Sequence, residues 1–135
     1  MSIRTWLLAW LPVLAWAGLV FAFSAQPDLR FLPDAWLDFV LRKVGHAGVF
    51  GILALLAWRA RGMTTAWRQP RPWAVALGLT VTYAITDELH QGFVGGRFPS
   101  PVDVGIDIVG ALVAIGIVLA IAGRRGSRGG ASRDP

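Results

Sequence analysis

Apolar residues fall into four long runs along the chain, separated by shorter polar segments. The runs are Trp6–Phe23, Val44–Trp58, Trp73–Ile85 and Val104–Ala122. A helix of about 20 residues crosses a hydrocarbon core about 30 Å thick, and the first and fourth runs are long enough to do so. The pattern predicts an all-α integral membrane protein built as a four-helix bundle.

The second and third runs reach span length only with the help of their neighbours. Trp36–Lys43 can extend the second helix at the membrane interface. The third helix must include Asp87–Gln91, which places an acidic cluster at the membrane boundary. "GFVGGRFPSP", which follows this cluster, is rich in Gly and Pro and is predicted to be a loop. Asp103 is expected in the first turn of the fourth helix, where the helix dipole favours a carboxylate.

The first run resembles a signal peptide in position, since Arg4 precedes it. We expect a membrane span instead, because Pro12 and three Trp interrupt the run and "FSAQPD" is a weak cleavage site.

Composition supports a membrane protein. Of the 135 residues, 55% are hydrophobic and only 16% are charged, with a mean hydropathy of +0.56. A soluble domain this small cannot bury so much apolar surface. The chain has no Cys, which excludes disulfides, thiolate metal sites and a Cys nucleophile.

The distribution of charge predicts an orientation. Nine of the thirteen Lys and Arg residues lie in the N-terminal stub, the loop between runs two and three, and the C-terminal tail. Seven of the eight acidic residues lie on the opposite side. The positive-inside rule then predicts cytoplasmic termini and an extracytoplasmic "DELHQ" stretch. Because the basic residues flank apolar runs and form no solvated stripe, we read the net charge of +5 as topology signals and lipid contacts, not as nucleic-acid binding.

The domain organisation follows from the same pattern. Residues 1–123 are expected to form the transmembrane domain. Residues 124–135 are Gly-rich and basic, which predicts a disordered cytoplasmic tail.

Helical spacing collects ionisable side chains at one end of the predicted bundle. Each of the second, third and fourth helices carries a polar stripe at its outer end, and a facing arrangement would bring the stripes together. Asp107 would lie about one turn, roughly 6 Å, deeper than Asp103, and so needs a cationic partner such as Arg97, Lys43 or His46. The predicted ligand-binding set is Lys43, His46, Asp87, Glu88, Gln91, Arg97, Asp103 and Asp107.

Other polar and small residues receive a structural interpretation. Helix-end charges are expected to be solvated at the interface, and these are Asp28, Asp34, Asp38, Arg30 and Arg42. His90 is expected to be packed or interfacial. Gly45, Gly48, Gly110 and Gly116 are expected at positions where helices approach closely.

Four motifs in order resemble those of VanZ-like membrane proteins. They are "FSAQPD", "KVGHAGVFGIL", "DELHQGFVGGR" and "SPVDVGIDIVGALVA", and together they cover nearly the whole chain except the tail. The matching residues are Ser24, Gln26, Lys43, His46, Asp87, Glu88, Gln91, Arg97, Asp103, Asp107 and Gly110. Two positions depart from the family pattern: Arg42 stands where an acid is usual, and Asp107 where Asn is usual.

The resemblance implies a membrane factor of the cell envelope, in a family named after a teicoplanin-resistance accessory protein and without an established biochemical activity. The expected partners are membrane lipids and a lipid-linked cell-wall precursor or glycopeptide bound at the outer leaflet. Arg97 and Lys43 are the expected anion contacts, and Gly95 and Gly96 would let the backbone approach the ligand. We predict no nucleic-acid partner, and the oligomeric state stays open.

Two other functions stay open at this point. An intramembrane enzyme acting on a lipid headgroup would use Glu88 and His46, because carboxyl groups in one partly dry pocket are expected to differ in pKa. A divalent metal on His46, Glu88, Asp103 and Asp107 would favour this enzyme, but the spacing matches no metal signature, so no metal or cofactor is predicted. A transporter is least favoured, because the polar groups cluster at one end only.

Overall fold

Four α-helices make up the described part of the chain. The computed structural model of the protein describes residues 2–26, 32–65, 72–95 and 97–130, with residues 125–130 described by their backbone alone. The helices are α1 (Ile3–Ser24), α2 (Ala35–Thr64), α3 (Pro72–Gln91) and α4 (Pro101–Gly130). These residues include no strand, so the all-α prediction is confirmed.

Each helix begins at a residue that suits a helix N-terminus. Ser2 and Asp34 cap α1 and α2, because their side-chain oxygens accept the backbone N–H three residues on, at 3.2 and 2.8 Å. α3 and α4 begin at Pro72 and Pro101, and a first turn does not use the N–H that proline lacks. Asp103 lies in the first turn of α4, as its position after Pro101 predicted.

The helices are longer than the apolar runs that predicted them. α2 begins at Ala35, so the segment Trp36–Lys43 does extend it, and α3 includes Asp87–Gln91. α4 continues to Gly130, beyond the predicted domain boundary at residue 123. The basic tail as a separate disordered segment stays a prediction, and residues 131–135 lie outside the described part.

Three of the described helices are long and apolar enough to cross a membrane: α1, α2, and α4 over Pro101–Arg124. α3 is not among them, because polar residues occupy its last turns, where it carries Asp87, Glu88 and Gln91. Large apolar side chains such as Leu11 and Leu14 point outward, at 61% and 60% exposed, as expected of helices whose solvent is lipid.

α2 is the central helix of the bundle. It packs against α1, α3 and α4, whereas α1 and α4 do not touch within the described residues. The closest approach is between α2 and α4 at Gly110, where an added Cβ would overlap the backbone of Ala47. Gly51 completes this contact, since a Cβ there would lie 3.1 Å from the Gly110 carbonyl oxygen. Gly110 is therefore a close-packing position, as predicted.

The other glycines predicted at close approaches lie elsewhere. A Cβ added at Gly45, Gly48 or Gly116 would meet nothing within 4 Å. The prediction for these three was wrong, because rotation of a helix about its axis decides which of its glycines faces a neighbour, and the sequence does not state that rotation.

Candidate functional site

The polar stripes predicted to converge do meet at one end of the bundle. This end comprises the start of α2, the end of α3 and the start of α4. Its contacts form three groups, one between α2 and α4, one between α1 and α3, and one around the loop from α3 to α4.

Two pairs of ionisable side chains line the contact between α2 and α4. The Lys43 ammonium forms an ion pair with the Asp103 carboxylate, and each side chain is about a quarter exposed. One turn deeper, His46 faces Asp107, with 3.6 Å between Nδ1 and Oδ1. The step of three residues on α2 and of four on α4 keeps both pairs on the facing surfaces of the two helices.

Asp107 is the most deeply buried carboxylate of the four in the predicted set, with 1% of its surface exposed. Of the three partners that the sequence suggested for Asp107, the structure places His46 beside it. The 3.6 Å separation is too long for a hydrogen bond, and both facing atoms are buried with no hydrogen-bond partner among the described residues. The two side chains therefore face each other without a hydrogen bond, and the His46 ring stacks with Phe50 at a centroid distance of 6.4 Å.

A second group joins α1 to α3. The Ser24 hydroxyl donates to Asp87 Oδ2 at 2.8 Å, and Gln91 Nε2 donates to the same oxygen at 2.9 Å. All three side chains are buried. Asp87 Oδ1 is buried without a hydrogen-bond partner in the described structure. The hydrogen-bond donors to Asp87 in the described residues are therefore neutral.

The third group fixes the loop between α3 and α4. Glu88 Oε1 accepts the backbone N–H of Ser100 at 2.6 Å, which ties the end of α3 to the entry of α4. Gly92 lies against Pro99, and a Cβ at Gly92 would be 2.6 Å from the Pro99 ring. The loop is folded back by these contacts, and the fold-back sets where Arg97 lies.

Arg97, one of the three partners predicted for Asp107, contacts a different group. Its Nη1 donates to the backbone carbonyl of Ser24 at 3.0 Å, at the end of α1. Within the described residues, no carboxylate lies within salt-bridge distance of this guanidinium. Its place beside α1 depends on the path of the loop, which sequence spacing does not encode.

Asp38 and Arg42 are further polar residues of this end, and the prediction of solvated charges was wrong for Asp38. Asp38 is only 1% exposed, its carboxylate lies 3.0 Å from the Arg42 guanidinium, and it accepts the Leu32 N–H at 3.1 Å. The spacing of four residues between opposite charges was the available signal. Asp34, by contrast, is exposed at the helix cap. Asp28, Arg30 and Gly96 lie outside the described residues.

The metal set considered for an enzyme is not assembled in the described residues. The part of the chain that the structure describes contains no group of three or more His, Cys, Asp and Glu side chains placed to hold a metal ion, so His46, Glu88, Asp103 and Asp107 do not form such a set. Glu88 is engaged by the Ser100 N–H, while His46 has Asp107 beside it.

A cavity of about 420 Å³ lies between α1 and α2, next to this polar end. Its walls on α1 are Trp16, Leu19, Val20 and Phe23. On α2 they are Leu41, Gly45 and Val49.

Four polar residues line the same cavity: Ser24, Arg42, His46 and Arg97. Ser24 lies in the last turn of α1 and Arg42 near the start of α2, so the polar lining is concentrated at the end of the cavity that adjoins the charged groups. The cavity therefore has an apolar length and a cationic end.

The VanZ/LLP1 family model matches residues 8–122, which is most of the chain. The chain belongs to the VanZ/LLP1 family. No curated protein and no solved structure matches it. The family match covers most of each of the three described helices that can span a membrane, so the chain is a VanZ/LLP1 membrane protein.

Of the residues that resembled the family motifs, most lie at the polar end of this VanZ/LLP1 chain. Ser24 was left out of the predicted ligand-binding set, although it touches Asp87 and carries the carbonyl that holds Arg97. Its place in "FSAQPD" was the signal for it. Gln26, from the same motif, is exposed.

Proposed function

We propose that this VanZ/LLP1 protein binds the anionic group of a lipid-linked or glycopeptide-related envelope molecule at its polar end, in the outer leaflet of the membrane. One observation carries the proposal: Arg97 lines the cavity beside α1 and α2 and makes its hydrogen bond to a neutral carbonyl. A guanidinium has five N–H donors, so the contact with Ser24 leaves donors for a phosphate or carboxylate.

The carboxylates nearby support this assignment because each has its own donor or positive neighbour. Asp103 is paired with Lys43, Asp38 with Arg42, and Glu88 with a backbone N–H. Lys43, expected earlier as an anion contact, is therefore assigned to holding α4, and Arg97 takes the main ligand role with Arg42 beside it.

Arg97→Gln tests the anion contact. The matched control is Arg59→Gln, since Arg59 also donates from its guanidinium to a carbonyl of α1, that of Leu8, and lies on the part of α2 remote from the polar end. Purified protein is offered a mixture of phosphatidylglycerol and phosphatidylcholine, and native mass spectrometry counts the lipid retained. We expect Arg97→Gln to lower the preference for phosphatidylglycerol about tenfold or more, the effect of one lost charge-assisted contact.

Wild type and Arg59→Gln should retain the same preference. An equal loss in both variants would mean that surface charge alone attracts the lipid, and no loss in Arg97→Gln would remove the proposed anion site.

The orientation of the site has its own test. Because basic residues concentrate on the other side, a reporter inserted beside Gly95 should behave as extracytoplasmic, and one fused after Arg133 as cytoplasmic. The reverse result would assign the site to the cytoplasmic leaflet.

The glycopeptide part of the proposal rests on the family. Overexpression in a Gram-positive host should lower susceptibility to teicoplanin more than to vancomycin, because teicoplanin carries an acyl chain that brings it to the membrane. Equal or absent shifts in the inhibitory concentrations would remove this role and leave the lipid-binding role standing.

A second candidate function is acid/base chemistry on a lipid headgroup, and the observation that favours it is the His46–Asp107 pair. A histidine oriented by a carboxylate is a common general base. Wild-type protein incubated with labelled lipids should then release a headgroup or transfer it, and His46→Gln should not. Unchanged lipids after incubation with wild type would exclude it.

A further inference from the structure

The cavity between α1 and α2 is built from two facing stripes of side chains. On α1 the lining residues follow steps of three and four, which is one face of a helix, and on α2 Leu41, Gly45 and Val49 follow steps of four. On α1 the stripe ends at Ser24, and on α2 the polar residues Arg42 and His46 lie beside Leu41 and Gly45. The lining is therefore apolar at Trp16 and Val49, and its basic residues lie toward the end where Arg97 meets Ser24.

A hydrogen bond between α1 and α2 lies at the inner end of the cavity. The Trp16 indole N–H donates to the Val49 carbonyl at 2.9 Å, so the ring bridges α1 and α2. Trp16 and Ser24 are eight residues apart, which corresponds to about 12 Å along the helix axis. That length is close to half of a hydrocarbon core about 30 Å thick, the depth of one leaflet.

Gly45 keeps the space between these ends open. A Cβ added at Gly45 would meet nothing within 4 Å, so glycine is not needed there for close packing against another helix. The volume of about 420 Å³ falls inside the range of about 300–1,000 Å³ that is typical of small-molecule sites. Leu19, Phe23 and Leu41 on the walls are 44%, 59% and 48% exposed, so the cavity is open to the side, where the acyl chains of a bilayer would lie.

We propose that this cavity holds one acyl chain of an anionic membrane lipid, which enters sideways from the outer leaflet and places its headgroup at Arg97. The inference rests on the proposed function, which assigns the anionic headgroup to Arg97, and it adds a binding site for the acyl chain. An apolar length with cations at one end matches the division of an amphiphile into tail and head, whereas a small soluble anion would leave the walls unused.

Gly45→Leu tests the chain site, with Gly48→Leu as its control. Both glycines lie on exposed positions of α2 with open space around the Cβ, and only Gly45 lines the cavity. Leu is the better helix former in each case, so both variants should fold, which thermal unfolding in detergent checks. Binding of lysophosphatidylglycerol is measured as a function of chain length, from hexanoyl to oleoyl.

In wild type and Gly48→Leu, affinity should rise about tenfold or more with chain length, because a long chain packs against the apolar walls of the cavity and a hexanoyl chain leaves most of them without contacts. In Gly45→Leu the rise should be largely lost, while the hexanoyl lipid is still preferred over its phosphocholine counterpart. Leu19→Trp fills the same space from α1 and should behave alike if Gly45→Leu does not fold.

The two proposals fail in different ways. Equal chain-length gains in Gly45→Leu, Leu19→Trp and wild type would overturn the acyl-chain site while leaving the headgroup site intact. Arg97→Gln should lose the preference for the anionic headgroup and keep the chain-length gain, and a variant that keeps both would overturn the headgroup site alone.

Discussion

The two sides of α2 are built differently. Toward α4, the helices touch backbone to backbone at Gly110, Lys43 forms an ion pair with Asp103, and His46 faces Asp107. Toward α1, the same stretch of α2 leaves a cavity, with Gly45 open and the Arg97 guanidinium at its end. One helix thus carries a closed interface and an open one about half a turn apart.

This difference shows that residue type does not by itself assign a role. Gly110 lets two helices pack closely, whereas Gly45 leaves open space beside α2. Basic residues hold α4 at Lys43 and line the cavity at Arg97. What separates the two roles is the neighbour that each residue faces, and the predictions below test this separation, starting with the largest effect.

His46→Ala should break the closed side. The substitution removes the side chain that faces the buried Asp107 carboxyl group, and removing one partner of a buried pair costs about 3–5 kcal/mol. We expect a large fall in the midpoint of thermal unfolding in detergent. His46→Ala with Asp107→Asn should recover most of the loss, because the neutral amide needs no cation.

The recovery distinguishes charge from packing. If the double variant is as unstable as His46→Ala alone, the loss comes from the cavity left by the imidazole and not from the unpaired carboxylate.

Gly110→Ala should have the next largest effect. The added Cβ would overlap the Ala47 backbone, so α2 and α4 must separate, and overpacking of this kind costs about 1–3 kcal/mol. Gly105→Ala, on the same helix with nothing within 4 Å of its Cβ, should be neutral or slightly stabilising. Thermal unfolding of both variants checks the comparison, and equal stability would show that the two helices are not in close contact.

Trp16→Phe, in the contact between α1 and α2, should lower the free energy of unfolding least of the three substitutions. It removes the indole hydrogen bond to Val49 and leaves an aromatic ring, so the expected loss is about 0.5–1.5 kcal/mol. Trp6→Phe, at a position 43% exposed on the same helix, serves as the control. Unfolding midpoints that coincide for the two variants would mean that the Trp16 contact does not fasten α1 to α2.

The sequence predicted the contacts between α2 and α4 well and the cavity between α1 and α2 poorly. Periodicity brought Lys43, His46 and Asp107 together, because residues three and four apart on a helix share a face. It could not predict the place of Arg97, which follows from the fold-back of the loop where Pro99 lies against Gly92. Nor could it separate Gly45 from Gly110, since that depends on how α2 turns toward its neighbours.

The acidic residues at the start of α2 show the same limit. Asp34 and Asp38 are four residues apart and looked alike in the sequence. Asp34 is an exposed cap, whereas Asp38 is buried because it binds the Leu32 N–H and lies against Arg42. Residue 32 precedes the helix, and the path of the chain before a helix leaves no periodic signal.

The attachments of α1 have a mechanical consequence. α1 is fastened near its middle, where Trp16 donates to Val49 and the Ala17 carbonyl accepts the Tyr83 hydroxyl at 2.5 Å, and again at its end through Ser24. The helical segment between these two attachment points contains no proline. Pro12, where a helix bends most easily, lies before the first attachment point. The width of the cavity between α1 and α2 is therefore set by these attachment points and does not depend on a bound molecule to hold the helices apart.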